Sequence, residues 1–200
     1  MTMKNERTFV MVKPDGVVKG LIGEIISRIE QRGLKVVAIK MYVASRDQID
    51  GHYPNDDAYV RNLGEHTKNT YEKYGLDLIK EYGTDDSLVI GKLVRGWILD
   101  FMTAGPVVTM VVEGLHAVEM VRKLVGATIP STAAVGTIRG DYSVDSPALA
   151  NAEHRAISNL IHASGDVAEA EREIKHWFKP EEIVSYRRGE IDVLFAPKEQ

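Results

Sequence analysis

The sequence predicts an α+β domain of the ferredoxin-like, split βαβ kind: a four-stranded antiparallel sheet with helices on one face, plus an added helical insertion. Three observations carry that expectation. Runs rich in Val, Ile and Met at residues 8–12, 34–41 and 106–114 have the length and composition of strands. Between them lie segments whose apolar residues recur every three or four positions, the spacing of one helix face. The resulting order is strand, helix, strand, long helical region, strand, helix, loop, strand, helix. That order suits a split βαβ sheet better than a doubly wound one.

Each element has a local reason. Thr8-Phe9-Val10-Met11-Val12 reads as a buried strand ending in Lys13-Pro14-Asp15-Gly16, a turn by composition that sets Lys13 at a strand end. Leu21, Ile22, Ile25, Ile26 and Ile29 follow helical spacing up to Gly33, a natural stop. Residues 34–41 make a second strand. Ser45 and Gln48 have the capping-box spacing of a helix that runs to His52-Tyr53-Pro54. Residues 55–83 are polar, with Tyr59, Tyr71, Tyr74 and Tyr82 scattered among charges; they read as one or two helices inserted on the surface. The cluster Thr84-Asp85-Asp86 caps a helix whose core stripe is Leu88, Ile90, Leu93, Trp97, Ile98 and Phe101. Residues 106–114 form the clearest strand. Ala117, Val118, Val121, Leu124 and Val125 line the next helix, with Arg122 among them. A long, nearly uncharged loop, 126–136, leads to Arg139, and long ordered loops are commonly functional. Residues 145–155 read as a second insertion. After His162 a helix starts at Asp166, with Val167, Ala170, Ile174, Trp177 and Phe178 inward and Glu169, Glu171, Arg172 and Glu173 elsewhere. A helical turn at 180–182 and an edge strand at 192–196 complete the chain.

Composition bounds the function. The 200 residues are 44% hydrophobic and 27% charged, enough for one domain with a core and a hydrated surface. A net charge of −4 gives no support to nucleic acid or an anionic membrane as partner. There are no cysteines, which excludes disulfides, thiol chemistry and thiolate-bound zinc. No stretch reaches the ~20 apolar residues of a membrane span, and no signal-peptide core follows Met1, so the expected location is the cytoplasm. Neither GxxxxGK[ST] nor GxGxxG occurs, so an anion site must be built from side chains.

The stretch Asn159-Leu160-Ile161-His162-Ala163-Ser164-Gly165-Asp166 is where such a site centres. His162 falls where an element ends in a tight turn; Gly165 tolerates positive φ and Asp166 caps the next helix. Imidazole titrates near neutrality and serves as nucleophile, base or ligand. A histidine that only caps a helix end reads these eight residues equally well. The polar residues at other element ends decide between them. Lys13, Arg122 and Arg139 supply fixed positive charge; Tyr53, Thr128 and Asn159 supply neutral hydrogen bonds. Together they suit a polyphosphate whose terminal group is presented to an imidazole nitrogen. A metal-ligand role for His162 lacks the spacing, since the nearest histidine is His154.

Three segments, Lys13-Pro14-Asp15-Gly16, Thr137-Ile138-Arg139-Gly140-Asp141 and Asn159-x-x-His162-Ala163-Ser164, resemble in order the signature segments of the nucleoside diphosphate kinase family. The resemblance extends through Gly20-Leu21-Ile22-Gly23-Glu24, His52-Tyr53, Gly105-Pro106-Val107-Val108 and Trp177-Phe178-x-Pro180-Glu181-Glu182, most of the chain outside the two insertions. It implies a ping-pong enzyme that moves a γ-phosphoryl group from a nucleoside triphosphate to a nucleoside diphosphate through a phosphohistidine. By the same resemblance His162 is the nucleophile and Glu173 holds its other ring nitrogen. Lys13, Tyr53, Arg122, Thr128, Arg139 and Asn159 grip phosphates and ribose, Mg²⁺ bridges the phosphates, and Ser164 supports. The family assembles as hexamers or tetramers, so a homo-oligomer is expected. Two departures stand out. Val94 falls where the family places a phenylalanine under the base, and Gly165 replaces an aspartate. The rival reading is a non-catalytic nucleotide-sensing module on the same fold, which has no need of His162 or Glu173. An RNA-binding sheet would need exposed aromatics on its strands, and the strands carry Val, Met and Ile instead.

Overall fold

The computed structural model describes residues 5–189. The expected strand at 192–196 lies outside them. In chain order the elements are β1 (Asn5–Val12), α1 (Pro14–Val18), α2 (Ile22–Gln31), β2 (Lys35–Tyr42), α3 (Arg46–His52), α4 (Asp57–Tyr74), α5 (Leu78–Tyr82) and α6 (Ser87–Thr103). They continue with β3 (Val107–Leu115), α7 (Ala117–Val125), α8 (Ile138–Tyr142), α9 (Pro147–Ala152), β4 (Ile161–Ala163) and α10 (Val167–Trp177). Short 3₁₀ turns lie at Pro130–Thr132 and Pro180–Glu182.

The four strands form one sheet in the order β2-β3-β1-β4, with every pair antiparallel. The fold class is the one the sequence predicts. The placement of helices differs from the expectation of one covered face. Successive strand residues point to opposite sides of a sheet, and here both sides are apolar. Val10, Val12, Val108 and Met110 pack with Ile25 and Ile29 of α2 and Val121 and Val125 of α7. Phe9, Met11, Val107 and Val111 pack on the other side with Ile49 of α3, Leu99 and Met102 of α6, and Trp177 of α10. A run such as Phe9-Val10-Met11-Val12, wholly buried, requires cover on both faces.

Local capping chemistry sets the helix starts. The Ser45 and Gln48 box is present, and Asp86 and Asp166 accept from Leu88 N and Glu169 N. In the polar region, α4 buries Val60, Gly64, Thr67 and Tyr71, and α4 and α6 cross at Gly64 and Gly91. A Cβ on either glycine would strike the other helix's backbone, at Ser87 or Val60 respectively, so the axes come closer than side chains usually permit. The core stripe of α6 also departs from expectation: Leu93 is exposed, whereas Ile90, Gly91, Leu99 and Met102 are buried. The close crossing takes Gly91 inward and turns Leu93 to solvent.

Candidate active site

The site is assembled where β1 and β4 run side by side. Met11 is the register partner of His162, and Lys13 follows directly after β1. The Lys13-Pro14-Asp15-Gly16 segment, expected as a turn, is the N-cap and first residues of α1, and it fastens the chain just before the histidine. Lys13 N donates to Leu160 O (2.9 Å), and Leu160 N donates to Asp15 Oδ2 (2.9 Å). Between these two bonds Leu160 is fully buried with φ of +69°, a left-handed conformation that costs a leucine about 1–2 kcal/mol. The left-handed residue is therefore Leu160, two places before the histidine, and not Gly165. Gly16 is required by the same arrangement: a Cβ there would lie 2.7 Å from Leu160 O.

His162 is held at one nitrogen. Its Nε2 donates to Glu173 Oε1 (2.9 Å), and Ser164 Oγ donates to Glu173 Oε2 (2.6 Å). Ser164 is anchored in turn to β1, accepting from Phe9 N (3.2 Å). The Glu173 side chain is only 1% exposed, and the imidazole 18%. Burial pushes the Glu173 carboxyl upward in pKa, while His52, the Ser164 hydroxyl, Arg172 and His176 pull it back. With both oxygens accepting, the proton sits on Nε2 of the imidazole and the lone pair on Nδ1. Among the described residues Nδ1 makes no hydrogen bond. The pKa of His162 is lowered to about 3, by burial first and then by the charges of Lys13, Arg139 and Arg172 against that of Glu169. The ring is thus a neutral base at physiological pH.

The sequence reading sets Glu173 with the outward residues of its helix; the structure puts it on the buried face with Ala170, Ile174 and Trp177. Helical spacing allows this, since 173 is three after 170 and four before 177. The partners that make burial of a carboxylate tolerable come from β4 and the residue just after it. Val167 goes the other way and is exposed.

Lys13, Arg139 and Asn159 gather around the histidine. Lys13 Nζ donates to Asn159 Oδ1 (2.7 Å), and Asn159 Nδ2 donates to Thr128 O (3.0 Å), tying the loop after α7 to the approach to β4. The Lys13 ammonium is lowered to about 8 by burial and then by Arg139, and it stays charged at neutral pH. Arg139 is buried, with Nε on Asn159 O (3.1 Å), Nη1 on Gly126 O (3.1 Å) and Nη2 on Ile161 O (2.6 Å). Three of its five N–H groups therefore knit the site together, leaving two for a ligand. Burial, and then Arg122, lowers its pKa to about 10. Arg122 and Thr128 are exposed, and Arg122 Nη1 reaches within 3.6 Å of where a Cβ on Gly165 would stand. Tyr53 ends α3, and its hydroxyl is buried without a hydrogen-bond partner. Val94 lies half-buried on α6.

His52, to which the sequence reading gives no role in the site, belongs to the site's wall. It is buried, its ring meets His162 edge to face (4.6 Å, 82°), and Trp177 Nε1 donates to its Nδ1 (3.1 Å). Its place beside Tyr53 is the one available signal. His52, His162 and Glu173 converge closely enough to suggest a metal trio. The donor chemistry does not fit Mg²⁺, which takes oxygen ligands; here the set is mostly nitrogen and already bonded to Trp177 and within itself.

A sequence model of the nucleoside diphosphate kinase family matches residues 6–67 and 94–183, spans that include the segments just seen converging on His162. The chain belongs to the nucleoside diphosphate kinase family. The nucleoside diphosphate kinase of Pyrobaculum aerophilum is 48% identical over 182 residues, 91% of this chain and 100% of that protein. A crystal structure of an NDP kinase from the same organism superposes with a TM-score of 0.88 at 46% identity, covering 91% of this chain and 100% of that one. The structure of the Borrelia burgdorferi nucleoside-diphosphate kinase, a transition-state mimic with bound vanadate and ADP, superposes with a TM-score of 0.76 at 36% identity, covering 96% and 98%. As a member of this kinase family, the chain is a phosphotransferase acting between nucleotides. Family membership also implies a divalent metal in the reaction. The family match omits residues 68–93, the end of α4, α5 and the start of α6, and runs unbroken through 145–155. Among the described residues, no helix is long and apolar enough to cross a membrane.

Proposed function

We propose that this nucleoside diphosphate kinase works by a ping-pong cycle in which His162 carries the phosphoryl group. The observation that supports this is the asymmetry of its ring: Nε2 is fixed on a buried carboxylate while Nδ1 keeps its lone pair without a partner. The Nδ1 lone pair attacks the γ-phosphorus, the bond to the β–γ bridging oxygen breaks, and the nucleoside diphosphate leaves with those electrons. A β-phosphate oxygen of a second nucleoside diphosphate then takes the group, restoring the neutral imidazole. Glu173 stabilises the positive charge that the phosphorylated ring carries between the two halves, and Ser164 keeps Glu173 in place.

In this reading Lys13, Arg122 and Arg139 neutralise the charge that spreads over the transferring oxygens, as positioned cations do in phosphoryl transfer. Tyr53, Thr128 and Asn159 give hydrogen bonds to phosphate and sugar, and Val94 gives the base an apolar contact. Mg²⁺ is the divalent ion proposed; with no oxygen-rich protein set for it among the described residues, the nucleotide's own phosphates hold it. Recognition through phosphate and sugar leaves base choice broad. We read the chain as one domain, with additions near 55–83 and 145–155 beside the cleft, acting as a cytoplasmic homo-oligomer, a hexamer or tetramer.

Intact mass after mixing with ATP and Mg²⁺, without acceptor, tests the central step. Wild type gains one acid-labile phosphoryl group, lost on adding GDP as GTP appears, and His162→Gln gains none. Equal uptake by His162→Gln removes His162 from the acceptor role. No uptake by wild type that still binds ATP favours the sensing module.

A further inference from the structure

Arg95 lies on α6 next to Val94, outside the set of side chains that surround His162. Its side chain is only 12% exposed, and its hydrogen bonds go to residues at and just after the end of α3. Nη1 donates to Asp50 Oδ1 (2.7 Å), Nε to Pro54 O (3.0 Å), and Nη2 to both Tyr53 O (3.0 Å) and Asp50 O (3.2 Å). The last turn of a helix leaves carbonyls without partners inside the helix, and two of those in α3, Asp50 O and His52 O, are taken by arginines. Arg172 Nη1 reaches His52 O (3.4 Å), and Arg95 takes Asp50, Tyr53 and Pro54. Four of the five N–H groups of Arg95 are used in this way, so it is not free to grip a ligand.

What Arg95 holds matters for the site. Tyr53 leaves α3 in an extended conformation (φ −88°, ψ 129°), its ring meets His52 edge to face (4.8 Å, 74°), and His52 in turn meets His162. The Tyr53 hydroxyl is buried with no partner, so no hydrogen bond of its own fixes where it points. Its position is set by the packing of its ring and by its main chain. A rigid guanidinium fork across three carbonyl groups fixes the main chain; a single ammonium cannot span them.

We infer that Arg95 is a positioning residue for phosphoryl transfer, locking the end of α3 so that the Tyr53 hydroxyl is presented to the nucleotide. The inference rests on the proposed roles of Tyr53 and His162. It also gives α6 a task beyond core packing, in a stretch where the family match has just resumed after residue 93.

A double-mutant cycle tests it, with phosphohistidine formation on wild type as the control. Arg95→Met is expected to lower kcat/KM about tenfold in the wild-type background but less than twofold in a Tyr53→Phe background, since the hydroxyl it positions is then gone. The fall in Tm is expected to be the same in both backgrounds, which separates positioning from simple stabilisation. Arg95→Lys is expected to recover little of the lost rate. Asp50→Asn, a milder change that leaves the carbonyl contacts, is expected to show the same coupling at about threefold. An unchanged kcat/KM in Arg95→Met, or an equal loss in both backgrounds, would overturn the inference while leaving the phosphohistidine intact. Absence of phosphohistidine in wild type overturns the underlying reading as well.

Discussion

A histidine becomes a useful nucleophile when one ring nitrogen is pinned, the other is open and the ring is neutral. The chain Phe9–Ser164–Glu173–His162 supplies the first condition by hydrogen bonds, and burial among cations supplies the third. Two predictions belong here. Glu173→Gln leaves an oxygen to accept from Nε2 but removes the charge, so single-turnover phosphorylation is expected to slow by about 10–100-fold. The second concerns stability. The folded-state pKa of His162 is depressed from 6.5 to about 3, so below pH 6.5 the unfolded chain binds a proton that the folded chain refuses. The associated stability is fully present above pH ~6.5 and is lost as pH falls toward 3. Urea unfolding at pH 7 and pH 5 checks the sign: wild type is expected to lose about 1–2 kcal/mol more than His162→Gln over that interval. An equal loss in both proteins would mean that the ring protonates freely in the fold.

At the scale of elements, the site depends on the start of α1, near one end of the chain, clasping the residue that leads into β4, near the other. Asp15 and Lys13 N hold Leu160 in its left-handed conformation, and Gly16 gives Leu160 O the room to be there. Gly16→Ala puts a Cβ 2.7 Å from that oxygen and 2.8 Å from Val12 Cγ1. The expected outcome is a loss of about 1–3 kcal/mol in chemical unfolding together with a slower phosphoryl uptake, because β4 shifts with Leu160. Gly23→Ala is the matched control. It lies on α2 with nothing within 4 Å of its added Cβ, and it is expected to leave the rate alone and add up to ~1 kcal/mol through helix propensity.

Across the whole molecule, α4 and α6 form a second layer whose close approach depends on Gly64 and Gly91. Gly91→Ala forces Val60 O away, and the two helices must separate. A loss of about 2–3 kcal/mol is expected, read as a lower Tm. Since Val94 and Arg95 lie close to Gly91 along the same helix, the KM for nucleotide is expected to rise at the same time; a lower Tm with an unchanged KM would make this layer a support only.

Much of this architecture is legible in the sequence because it is written in local chemistry. Apolar runs bounded by Gly and Pro give the strands, Ser45, Asp86 and Asp166 give the helix starts, and charged or hydrogen-bonding residues at element ends give the candidate site. Each of these depends on neighbours within a few positions. Features that depend on partners far along the chain are not legible there. Helices cover both faces of the sheet, Leu93 turns outward at a glycine crossing, and Leu160 takes the left-handed conformation that residue type alone assigns to Gly165. The clearest case is Glu173. Its spacing fits the inner face of α10, yet a carboxylate reads as outward until His162 and Ser164, eleven and nine residues earlier, are seen to satisfy both its oxygens. Residue type and spacing determine which chemistry is available; the free energy of burying charge is settled only by the groups that the fold brings to it.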